Sequence, residues 1–240
     1  MRNLTFQHVV LGILFASGGT VGGWAITGKL AGDEAALSFL RFGSAVVIAM
    51  FFVQTVLFYW GKKRLLYLLV FNVAFGCGII WFMLCLVLPI LWVDSMDERV
   101  KVSLFLLLIV LSISNIIQAN LQFKRRWSEQ GEANLICQGN INNGVLDWQK
   151  IVEGLKFSFA LYIPWVPKSI YPIISPILIF SMLAGLAVRN VFPLTSLFAW
   201  GVPTCVAIAT LMQMIGLGIA QIMKVMALEK RYGVNIAPIC

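Results

Sequence analysis

LLYLLVFNVAFGCGIIWFMLCLVLPILWV, from Leu65 to Val93, carries no acidic or basic side chain and is apolar on every face of any helix drawn through it. A helix on the surface of a soluble globule keeps one polar face, and a barrel strand alternates with a period of two; this run does neither. It is long enough to cross a hydrocarbon core of about 30 Å, which needs about 20 apolar residues. Comparable runs recur along the chain and predict helices at 9–28, 36–60, 65–93, 101–120, 170–188 and 197–223. The composition agrees: 60% hydrophobic and 12% charged residues, with a mean hydropathy of +0.90, leave too little polar surface to coat a soluble globule. The fold class read from the sequence is therefore all-α, a polytopic transmembrane helical bundle. The N-terminus has the outline of a secretory signal, with Arg2 before a short apolar run, but is read here as helix 1.

Charge sets the expected orientation. Arg2, Lys62, Lys63, Arg64, Lys124, Arg125, Arg126, Lys150, Lys156, Lys168, Lys224, Lys230 and Arg231 fall on one side of the predicted bundle, against Lys29, Arg41, Arg99, Lys101 and Arg189 on the other. Positively charged loops stay in the cytoplasm, so six crossings with both termini cytoplasmic are predicted, in the inner (plasma) membrane. The acidic residues divide equally, which puts the net charge of +8 on the cytoplasmic face and makes anionic lipid headgroups its expected partner. No nucleic acid is expected, because the basic residues sit at helix ends where topology accounts for them.

This pattern divides the chain into a four-helix region, 1–120, a cytoplasmic insert with an interfacial segment, 121–169, and a two-helix region with a tail, 170–240. Within the insert, Asn142-Asn143-Gly144 reads as a tight turn before an amphipathic helix over 145–155. Trp148, Ile151 and Val152 share a face of that helix, which either packs on its own bundle or docks a cytoplasmic or membrane protein partner. Four prolines, Pro164, Pro167, Pro172 and Pro176, discourage a continuous helix over 157–190, so 157–169 is read as interfacial or re-entrant, with Trp165 and Lys168 at headgroup level. Pro203 is the expected kink point of the last helix.

Chemistry-bearing patterns are sparse. Ionisable groups inside a membrane mark proton relays and substrate paths, and the centres of the predicted crossings hold none. The five cysteines are scattered, without the spacing of a zinc site or a disulfide framework, so no metal, no cofactor and no catalytic residue is assigned. Neutral polarity remains: Ser112, Asn115 and Gln118 lie on one arc of the fourth helix, where such residues either bond neighbouring helices or line a polar path. In the first helix, Gly18 with Gly22 and Gly19 with Gly23 form two overlapping GxxxG spacings. They predict a strip where another backbone approaches closely, either within the chain, against 216–220 of the last helix, or across a homo-oligomer seam; a discontinuous helix around a substrate is the third reading.

Residues 18–50, with Lys29 closing the first helix and Leu40-Arg41-Phe42 opening the second, resemble the opening hairpin of drug/metabolite transporters of the EamA type. The resemblance covers under a sixth of the chain. It implies a small-molecule transporter built from two repeated five-helix halves, whereas no second copy is visible and the insert at 121–156 is foreign to that plan. The function expected from the residues is that of a non-enzymatic, self-associating scaffold, sensor or channel-like subunit of a larger membrane system, such as one for secretion, conjugation or defence against phage or toxins. A transporter and a pore-forming effector are the alternatives.

Overall fold

Gly32, at φ +87°, reverses the chain between two long antiparallel helices, α1 (Phe6–Ala31) and α2 (Asp33–Gly61), in a conformation that residues with a side chain rarely adopt. Asp33 and Glu34 follow in the first turn of α2, where negative charge meets the positive end of the helix dipole. The computed structural model describes residues 6–61, 64–140, 145–157, 162–164, 166–188 and 191–238. The expected turn at Asn142-Asn143-Gly144 lies outside these residues, as do Arg2, Lys62, Lys63, Trp165, Arg189, Cys240 and the Lys168 side chain.

The run that decided the fold is shorter as a helix than its hydropathy implied. α3 spans Leu65–Leu84, and Leu88–Trp92 continue as a 3₁₀ turn. Pro89 explains the difference: it has no N–H for the carbonyl of Cys85, and its ring would collide with that group. The fourth helix errs the other way. α4 runs Glu98–Arg126, with Asp97 accepting the Arg99 N–H at 2.8 Å, and passes through a π-helical turn, Trp127–Gly131, into α5 (Glu132–Gln138). No break separates a transmembrane region from an insert at residue 120, because Phe123, Trp127 and Leu135 keep one side of this rod buried beyond the apolar stretch.

The remainder of the insert is β1 (Gly139–Asn140), β2 (Val145–Leu146) and α6 (Trp148–Gly154). The helix expected over 145–155 is therefore shorter, since Val145 and Leu146 pair as strand and Asp147 caps α6. After α7 (Tyr171–Val188), Pro193 starts α8, which runs to Tyr232 through Pro203 and ends at Gly233, φ +67°. β3 (Ala237–Pro238) joins β2 in parallel, while β1 is antiparallel to β2, giving a three-stranded sheet in the order β1-β2-β3.

α3 and α8 are the inner members of the bundle: α1 and α2 pack with α3, while α4 and α7 pack with α8. Among the described residues, five helices, α1, α2, α3, α4 and α8, are long and apolar enough to cross a membrane; α7 is a shorter apolar helix. Large apolar side chains cover the outside, with Phe180 as much as 73% exposed and Leu14, Phe52 and Ile117 over half exposed, a surface suited to lipid rather than water. Phe6 meets Phe58 near the end of α2, and Ile236 meets Leu65 at the start of α3, so the first and last described segments lie at the same end of the bundle. That end carries the Arg64, Arg125, Arg126 and Lys224 side chains and is called the basic end below.

Candidate functional site

Asn115 is wholly buried on α4, about 17 Å before Arg126 at 1.5 Å per residue. Its amide is fully engaged. Nδ2 donates to the carbonyl of Leu111 at 2.8 Å and to that of Tyr162 at 2.7 Å; Oδ1 accepts the Tyr162 N–H at 3.2 Å and the Gln213 amide of α8 at 2.6 Å. The two opposed bonds to Tyr162 fix which side of the amide is oxygen. One residue on, the Tyr171 hydroxyl accepts the Ile163 N–H at 3.0 Å and lies 3.3 Å from its carbonyl. Side chains of α4 and α7 thus satisfy the backbone where 162–163 runs without helical structure, the condition for irregular backbone at membrane depth.

Of the three residues expected to form a polar path, only Asn115 belongs to this node. Ser112 is buried one turn earlier with its hydroxyl unbonded, and Gln118 is half-buried in a separate recess with Gln122, Arg125 and Glu129. Asn115 fastens a segment. Tyr162 and Tyr171 were not singled out from the sequence. The four prolines that break 157–190 were the available signal, since backbone freed from a helix needs polar partners.

The four glycines of α1 divide between two faces. A Cβ on Gly19 would lie 2.6 Å from the Phe82 backbone, and one on Gly23 would strike Phe39 and come within 2.8 Å of the Cys85 carbonyl. These two permit close approach of α3 and α2. The expected contact of the strip with 216–220 is not formed: Gly216 instead lies against the Ile116 backbone of α4. Gly18 and Gly22 point away, and a Cβ on either would meet nothing within 4 Å.

At the basic end, Arg64 grips both oxygens of Glu229, through Nε at 3.1 Å and Nη2 at 2.6 Å, and the Ile236 N–H donates to Oε1 of the same carboxylate at 3.1 Å. This bond to Glu229 raises the Arg64 pKa above its ordinary value. With the Leu65 N–H on the Ile236 carbonyl at 2.8 Å, the start of α3, the end of α8 and the tail are tied together. Such a tie leaves no local trace in sequence, because its partners are far apart in the chain.

The apolar face of α6 is turned into the protein. Trp148 and Ile151 are buried, Val152 is half-buried, and Trp148 stacks on Trp127 at 5.6 Å while donating its Nε1–H to Gln221 at 2.8 Å. Trp148 and Ile151 cannot serve as the docking surface considered from sequence while they fill this core. Among the described residues, no group of three or more His, Cys, Asp or Glu side chains is placed to hold a metal ion. Comparison of the chain with protein-family models, characterised proteins and solved structures finds no match.

Proposed function

We propose that this chain is a non-enzymatic, self-associating subunit of the inner (plasma) membrane, a scaffold, sensor or channel-like component of a larger assembly. One observation carries the reading: Gly18 and Gly22 open outward while Gly19 and Gly23 do the internal packing. Leu14, Gly18, Val21, Gly22 and Ala25 recur at helical spacing on that outer side, an apolar face with a flat centre where a second α1 can approach. Six crossings with both termini cytoplasmic fit the arrangement. Five long helices alone would leave the two ends on opposite sides, so α7 supplies the sixth crossing in this reading, and the basic end then faces cytoplasm and anionic headgroups. Subunit counting in native-lipid discs tests the proposal. Wild type should contain at least two copies, and Gly18→Leu with Gly22→Leu should give monomers of unchanged thermal stability; a monomeric wild type, or an unaltered assembly in the double variant, overturns it.

A second reading, a small-molecule path of the transporter or channel kind, draws on the broken crossing. Discontinuous segments whose backbone is held by polar side chains line substrate paths in many carriers. Liposome flux that falls in Asn115→Leu or Gln213→Leu, with the subunit count unchanged, would favour it over the scaffold.

A further inference from the structure

Where α4 reaches the basic end, a recess of about 350 Å³ runs along its outer side. Its described lining is Gln118, Leu121, Gln122, Arg125 and Arg126 of α4, with Glu129 of the π-helical turn that follows. Spacings of three and four residues put these side chains on one face of the rod, beside the buried row Ala119, Phe123 and Trp127. The open surface of the recess is mostly polar. Gln118 and Gln122 are half-buried there, and neither amide bonds to the protein. Arg125 donates from Nε to Glu129 Oε1 at 3.1 Å, and Arg126 Nη1 lies 3.7 Å from Oε2 of the same carboxylate. Two guanidiniums thus share one carboxylate, which leaves one surplus positive charge and most of their N–H groups free.

These groups are layered along the helix axis. At 1.5 Å per residue, Gln122 stands about 6 Å and Gln118 about 12 Å deeper in the bundle than Arg126. Leu121 ends a row, Ile113, Ile117 and Leu121, spaced four apart and each more than half exposed. Cations, then neutral donors, then an apolar row match in order the phosphate, the ester carbonyls and the acyl chain of a glycerophospholipid. Guanidiniums suit phosphate, and amide NH₂ groups donate to carbonyls. Both oxygens of Glu129 face arginines, so no free carboxylate awaits a headgroup ammonium, and the surplus charge favours a headgroup of net negative charge. We infer that this recess holds one anionic glycerophospholipid, its phosphate on Arg125 and Arg126, its esters on Gln122 and Gln118, and an acyl chain along Leu121, Ile117 and Ile113. The inference rests on the reading of the chain as a membrane bundle whose basic end meets anionic headgroups, and gives that attraction one place.

The test uses the full chain in phosphatidylcholine nanodiscs doped with phosphatidylglycerol, phosphatidylcholine or phosphatidylethanolamine, each probe carrying a diazirine on the same acyl chain. The anionic probe should label the peptide covering 109–122 at least fivefold more than either zwitterionic one. Arg125→Gln with Arg126→Gln should cut that labelling at least fivefold, and Gln118→Leu with Gln122→Leu at least threefold. Lys230→Gln with Arg231→Gln removes as much charge from the same end outside the recess and should change the labelling less than twofold. Equal labelling by the anionic probe and a zwitterionic one, labelling that persists in either recess variant, or an equal loss in the Lys230 and Arg231 variant overturns the inference. Labelling of other helices without α4 overturns it alone, whereas no labelling of any helix overturns the membrane reading as well. Subunit counting on the same discs reads self-association separately.

Discussion

Replacing Asn115 with leucine removes the side chain that holds the irregular backbone inside the bundle. Three non-local bonds disappear, two to Tyr162 and one to Gln213, since the fourth, to Leu111, is within α4. Hydrogen bonds between segments in membranes average about 0.6 kcal/mol each, which gives a lower figure of about 2 kcal/mol for the three. The Tyr162 N–H and C=O would also lose their partner on α4, and a buried polar group without a partner costs about 1–3 kcal/mol. Relaxation of the segment recovers part of that, so the expected loss is about 2–5 kcal/mol. Unfolding free energy measured by steric trapping in bicelles reads this directly. Ser112→Ala is the contrast: its hydroxyl is buried and already unbonded, so its removal should be neutral or stabilising. Hydrogen exchange at the Tyr162 and Ile163 amides supplies a local readout and should accelerate in Asn115→Leu alone. A loss below about 0.5 kcal/mol with unchanged exchange would refute the view that Asn115 fastens this segment.

Other substitutions probe separate parts of the structure. Gly19→Ala should destabilise by about 1–3 kcal/mol, because its Cβ meets the Phe82 backbone, whereas Gly18→Ala, with open space around it, should lie within about 1 kcal/mol of wild type in the same assay. Arg64→Ala strips Glu229 of its guanidinium and should cost about 1–3 kcal/mol, with faster exchange at the Ile236 amide as the tail loosens. Burial pushes the Asp147 carboxyl up, but hydrogen bonds and charge from Lys150 outweigh it and hold the pKa below the ordinary carboxylate value. A carboxylate with a lowered folded-state pKa stabilises fully above its unfolded value of about 4 and loses that contribution as pH falls through the folded value. Limited proteolysis of the insert should therefore quicken on acidification below about pH 4, and Asp147→Asn should flatten that dependence.

The membrane-bundle class was legible because uninterrupted hydropathy over a run such as Leu65–Val93 has few other solutions. Its end was not, since Pro89 stops the helix while the chain stays apolar. The reverse happened at residue 120: polarity rises there, yet Phe123, Trp127 and Leu135 recur at helical spacing and carry the rod onward as an amphipathic helix. Asn115 was singled out because neutral polarity inside an apolar helix is conspicuous. What it binds was hidden, because its partner is backbone and any residue type could have supplied those atoms. The glycine strip was visible as a spacing, but adjacent glycines stand about 100° apart on a helix, and which pair faces inward depends on where α2 and α3 sit.

Disulfide trapping at the outer face of α1 in native membranes tests self-association most directly. Cys85 and Cys205 are wholly buried and stay, while Cys77, Cys137 and Cys240 are replaced by alanine. With Gly22→Cys added, mild oxidation should give a covalent dimer in high yield, and Phe180→Cys, on the exposed side of α7, should give none. No dimer through position 22, or equal yields at the two positions, would contradict an association built on Gly18 and Gly22.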